Sequence, residues 1–127
     1  ADLKRRMGES LKYTYRVWDE KAFTSRVLLH FSIFVNLHKE CGDAHNPVET
    51  FRVAKLLNSE RLVVSERCHP RDEEEYAGMV LFVNSTAEIA ATHAQLVRSG
   101  RWLERGQEAA ERFRRRFQPR DIFTRAE

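Results

Sequence analysis

Apolar positions along the chain fall into two kinds of run, and their alternation predicts the fold. Three short segments are almost continuously apolar: Ser32–Leu37, Arg61–Ser65 and Met79–Val83. Runs of this length and composition suit strands covered on both faces, as in a parallel sheet. A fourth segment, Lys12–Trp18, alternates Tyr, Tyr, Val and Trp with polar residues and predicts a strand of half-buried type.

Helical spacing fills the intervals. Asp19 to about Leu29 offers Asp19 as a cap, with Phe23 and Val27 one turn apart. Asn46-Pro47-Val48-Glu49 combines a capping residue, a proline suited to the first helical position and a glutamate placed to close a capping box. Val48, Phe51, Ala54 and Leu57 continue that stripe. A short acidic helix is expected over Arg71–Ala77, ended by Gly78. Ser85-Thr86-Ala87-Glu88 is a second capping box, opening a helix with Ile89, His93, Leu96 and Val97 on one face. Ser99-Gly100 breaks it, and a last helix sets Trp102, Gly106, Ala109, Ala110, Phe113 and Phe117 on one stripe before Pro119.

The resulting order, β-α-β-α-β-α-β-α-α, predicts a single Rossmann-like α/β domain. Its open, mainly parallel sheet of about four strands is flanked by helices and closed by two C-terminal helices. Residues 1–10 are expected to be a frayed or added start, and residues 11–127 the domain.

The chain has 127 residues, enough for one domain with a core that needs no staples. It is 42% hydrophobic and 32% charged, which argues against wholesale disorder. The longest mostly apolar run, Val27–Leu37, is interrupted by His30, Ser32 and Asn36, so no membrane span is expected. The first ten residues are polar and charged and do not resemble a secretory signal. Cys41 and Cys68 are too few for a disulfide framework. A reducing, cytoplasmic setting follows, with both thiols free. The net charge of +3 arises from 22 basic and 19 acidic residues, a small imbalance that permits phosphate binding without demanding it.

In open α/β sheets ligands bind beyond the carboxyl ends of the strands. Two connections lie there. The long loop from His38 to Asn46 enters the Asn46 helix, whose start presents unpaired N–H groups and a positive dipole end. Arg52 follows, able to add a forked cationic contact. The second connection, Ser65–His69, leaves the next strand at the same edge. Each residue also has a plainer reading. Glu49 closes the capping box, Arg52 forms a surface ion pair, His93 lies at the edge of the core, and Asp72–Glu75 is a solvated helix face. His38, Cys41 and His45 match no standard zinc spacing, so no metal is expected. Gly-x-Gly-x-x-Gly, a phosphate loop ending in Gly-Lys-Ser/Thr and Gly-x-Ser-x-Gly are all absent from the sequence.

Three stretches together carry a family resemblance: Phe31-Ser-Ile-Phe-Val-Asn-Leu-His38, Asn46-Pro-Val-Glu-Thr-Phe-Arg-Val-Ala-Lys-Leu-Leu57 and Leu62-Val-Val-Ser-Glu66. They resemble the C-terminal half of GT-B glycosyltransferases, in the group-1 and spore-maturation (CgeB-like) branch. The likeness runs from Trp18 to Phe117, and its middle third is the specific part. It implies a domain that holds a nucleoside-diphosphate sugar and works with a second GT-B-type domain, on the same or another chain. The donor phosphates would lie near Asn46 and Arg52, and sugar or ribose contacts near Glu49, Ser65 and Glu66, with His38 at the end of the preceding strand. No cofactor is implied, and no catalytic base can be assigned to this half. Two positions depart from the family pattern. Lys55 stands where many relatives carry a glutamate that holds the ribose, and it is placed to face phosphate instead. Ser59-Glu60 stands where relatives often have a small-residue turn.

The expected function is therefore donor binding for sugar transfer, inactive without the second domain. Two other classes remain beside it. Loss of the ribose glutamate at Lys55 fits a non-catalytic partner-binding module of the same fold. Arg112, Arg114, Arg115 and Arg116 beside Phe113 and Phe117 fit a nucleic-acid binder, which the interleaved Glu104, Glu108 and Glu111 disfavour.

Overall fold

The computed structural model describes residues 2–11, 21, 31–37 and 50–118. Helix α1 (Asp2–Met7) runs into a 3-10 turn at Gly8–Ser10. Strand β1 (Ile33–Asn36) is followed by α2 (Thr50–Asn58), β2 (Leu62–Glu66), α3 (Pro70–Glu75), β3 (Val80–Val83), α4 (Thr86–Ser99) and α5 (Trp102–Arg116). The strand expected at Lys12–Trp18, the start of the Asn46 helix and nearly all of the helix expected from Asp19 lie outside the described residues.

The three described strands form one parallel sheet in the order β1-β2-β3. Phe34 pairs with Val63 and Asn36 with Ser65; Ser65 in turn pairs with Phe82. Every residue of β2 is buried, the apolar Leu62–Val64 as a central strand requires and the polar Ser65 and Glu66 with them. The two-residue period divides the side chains between two clusters. On one face Val63 and Val80 meet Val53, Leu56 and Leu57 of α2 and Ala109 of α5, with Phe34, Phe82, Phe113 and Phe117 packed alongside. On the other face Val64 and Val83 meet Leu3, Leu11 and Ile89, with Ile33, Val35 and Leu81 around them. Burying Leu57, Val63 or Ile89 completely contributes about 1.5–3 kcal/mol each.

Asp2–Met7, within the segment read as a frayed or added start, is a helix whose Leu3 is buried in the second cluster. The Asp2 carboxylate accepts a hydrogen bond from the Thr86 hydroxyl at the first turn of α4 and ion-pairs with Arg5 and Arg6.

Local signals explain the helix boundaries. Pro70 opens α3 at its first position, and His69 Nδ1 caps it by accepting from the Arg71 N–H at 3.2 Å. Ser85 Oγ accepts from the Glu88 N–H at 3.2 Å, as the capping box requires. The return arm is displaced by one residue: Glu88 Oε2 accepts from the Asn84 N–H at 2.7 Å rather than from that of Ser85. Gly100, at φ +71°, ends α4 in the left-handed conformation that glycine adopts without a Cβ penalty. The buried stripe of α4 is narrower than its spacing predicts. Ile89 and Leu96 are buried, whereas Val97 is 56% exposed, because one further residue rotates the side chain about 100° around the helix.

Candidate functional site

A connection between parallel strands must run back along the sheet, so α2 begins toward the carboxyl ends of β1 and β2 and finishes near their starts. The close of that crossover is visible where the Leu62 N–H donates to the Ser32 carbonyl oxygen at 3.2 Å. Arg52 and Lys55, three residues apart on α2, are half-buried beside Val53 and Leu56, which enter the core. Ser65 and Glu66 end β2. His38, Asn46 and Glu49 lie outside the described residues.

At the carboxyl ends of the strands the apolar core gives way to three buried polar residues: Asn36, Ser65 and Glu66, each no more than 5% exposed. Burying such groups costs roughly 1–3 kcal/mol each unless hydrogen bonds compensate. Ser65 Oγ donates to the Glu66 carbonyl oxygen at 2.8 Å and accepts from Asn36 Nδ2 at 3.1 Å. The Cys68 thiol, itself 1% exposed, donates to the same Glu66 carbonyl at 3.4 Å. Burial pushes the Cys68 thiol above its ordinary pKa; its 3.8 Å contact with the Ser65 hydroxyl opposes the shift, and the nearby Glu73, Asp72 and Glu66 carboxylates add to it.

Arg67 fixes the adjacent part of the edge. Its Nε donates to Asn84 Oδ1 at 2.9 Å and its Nη1 ion-pairs with Glu73 at 2.9 Å, tying the end of β2 to α3 and to the turn after β3. Of the residues singled out from the sequence, Ser65 and Glu66 therefore both lie at the buried carboxyl end of β2. There Ser65 bonds to Asn36, a neighbour that sequence reasoning did not select for the site, and Glu66 joins them through its backbone carbonyl. The available signal was an asparagine closing a near-continuous apolar strand, where a polar side chain is costly.

Three consecutive arginines near the end of α5 are engaged within the domain. Arg114 donates to Asn58 Oδ1 and to the Asn58 carbonyl oxygen, and lies 3.7 Å from Glu60. Arg115 pairs with Glu111 at 2.6 Å, and Arg116 lies 5.4 Å from the centroid of the Phe117 ring. Phe117 in turn stacks on Tyr76 at 5.5 Å, docking the end of α5 against the turn after α3.

Among the described residues no cluster of His, Cys, Asp and Glu is arranged to hold a metal ion, and no helix is long and apolar enough to cross a membrane. No protein-family model matches the chain, and no curated protein or solved structure proves similar to it.

Proposed function

We propose that this chain is the donor-binding half of a GT-B-type glycosyltransferase, a Rossmann-like domain of about four strands that holds a nucleoside-diphosphate sugar. The observation that carries the reading is the buried polar edge: Asn36, Ser65 and Glu66 collect at the carboxyl ends of adjacent parallel strands in an otherwise apolar sheet. That is where an open α/β sheet binds its ligand. Arg52 and Lys55 of α2 supply positive charge for the diphosphate. Their role in transfer is to stabilise the departing diphosphate electrostatically. Activity requires a second domain to complete the cleft.

Titration with UDP, GDP and ADP and with their glucose conjugates, followed by calorimetry and by amide chemical shifts, tests the reading. Binding with shifts centred on Ser65, Glu66 and the first turn of α2 is the expected result. Shifts centred on α5, or no binding by any of these nucleotides, would overturn it.

A non-catalytic partner-binding module is the second reading. It is favoured by Lys55 and by Val97 and Leu103, both about half exposed on either side of the Gly100 turn. Nucleic-acid binding is disfavoured, because Arg114 and Arg115 are held by partners within the domain.

A further inference from the structure

The hydrogen-bond order at the buried edge determines which atom of Asn36 is left for a ligand. The Ser65 hydroxyl has one proton, and at 2.8 Å that proton goes to the Glu66 carbonyl oxygen. Toward Asn36 the Ser65 oxygen therefore acts as an acceptor. This orients the Asn36 amide with Nδ2 toward Ser65, at 3.1 Å, and leaves Oδ1 as the group that Ser65 does not engage. Asn36 is 3% exposed, and its Oδ1 has no hydrogen-bond partner among the described residues. A buried carbonyl oxygen in that state favours any group that brings it a donor.

We infer that Asn36 Oδ1 accepts a hydrogen bond from the bound ligand and so reads its neutral, donor-bearing part: a sugar or ribose hydroxyl, or a base N–H. This rests on the donor-binding reading and deepens it. A diphosphate carries only acceptor oxygens when fully ionised, so it gains nothing from Oδ1. The edge is thereby divided by chemistry. Cationic α2 serves the phosphates, and the Asn36–Ser65 pair selects the polyhydroxyl or nucleoside portion. Asn36 is a specificity-determining residue in this scheme, with Ser65 positioning its amide.

The test compares wild type with Asn36→Leu, a near-isosteric change that removes the acceptor, in titrations with UDP, UDP-glucose and inorganic diphosphate. Loss of one buried acceptor contact lowers affinity about tenfold. The expected result is that loss for UDP-glucose with inorganic diphosphate unchanged. If UDP weakens equally, the donor comes from the nucleoside; if only UDP-glucose weakens, it comes from the sugar. Either pattern supports the assignment. Equal affinity of both proteins for all three ligands would overturn it while leaving the donor-binding reading intact. Failure of wild type to bind any nucleotide would overturn both. Should Asn36→Leu not fold, the wild-type protein still decides. The Asn36 side-chain amide signal is expected to shift on addition of UDP-glucose. An unmoved signal, with Ser65 and Glu66 amides shifting, refutes the contact.

Discussion

Gly106 of α5 lies directly against the carbonyl oxygen of Glu60: a Cβ at position 106 would approach that oxygen to 2.6 Å. Glu60 itself holds a left-handed backbone at φ +61°, the only described non-glycine residue with positive φ. The two features belong together. The tight turn after α2 projects its carbonyl toward α5, and α5 reaches the sheet there by having no side chain.

This contact sets two opposite mutational outcomes. Gly106→Ala places a methyl against fixed backbone and is expected to destabilise the domain by about 1–3 kcal/mol. Glu60→Gly removes left-handed strain of roughly 1 kcal/mol, partly offset by greater freedom of the unfolded chain, and is expected to be neutral or mildly stabilising. Urea unfolding of both variants checks the pair. An undiminished midpoint for Gly106→Ala would mean that α5 can draw back from the turn at no cost.

Stability toward acid should report the clasp between α1 and α4. The Thr86 hydroxyl, together with Arg6 and Arg5, holds the Asp2 carboxyl well below its ordinary pKa. A carboxyl whose pKa is depressed by folding stabilises the native state above its unfolded pKa and loses that contribution as pH falls. The difference in stability between wild type and Asp2→Asn is expected to be constant near neutrality and to shrink below about pH 4. Thermal melts of the two proteins from pH 7 to pH 2.5 measure it. A difference independent of pH would show that the carboxylate charge contributes nothing to docking α1.

Cys68 should be a slow thiol. It is buried beneath the end of β2, and burial keeps it protonated at neutral pH, whereas the thiolate is the reactive species. A disulfide-exchange reagent is expected to titrate Cys68 only as the domain opens, and immediately in denaturant. Cys68→Ser should abolish the slow phase. Persistence of that phase in the variant would assign it elsewhere.

Arg52→Ala tests the cationic side of the proposed site. Losing one charged hydrogen-bond partner costs about 1.5–3 kcal/mol, or roughly a tenfold to hundredfold loss of nucleoside-diphosphate affinity. Inorganic diphosphate should weaken in parallel, in contrast to its indifference to Asn36→Leu. Unchanged affinity in Arg52→Ala would move the phosphates away from α2 and strengthen the partner-binding reading.

The strands at Phe34, Val63 and Leu81 and the helices at Ser85 and Trp102 were legible because their signals are local. Continuous apolar runs, a capping box and a glycine stop act over a few residues, and their effect does not depend on what packs nearby. Ser65 and Glu66 were legible as site candidates because the carboxyl end of a parallel strand follows from element order alone. The boundaries moved by a residue, as at Glu66, which joins β2 through its pairing with Val83.

The sequence alone determined a parallel α/β arrangement, since alternating strand and helix periods leave few other ways to bury every apolar face. Tertiary structure alone decided the roles of Asn36, Gly106 and Asp2. The register that sets Asn36 beside Ser65, the approach of α5 to Glu60 and the capture of Asp2 by Thr86 join residues 29, 46 and 84 positions apart. No local period encodes such pairings. They form because packing of the two core clusters brings the elements to one distance and one register, and the polar groups then take the partners that this packing places within reach.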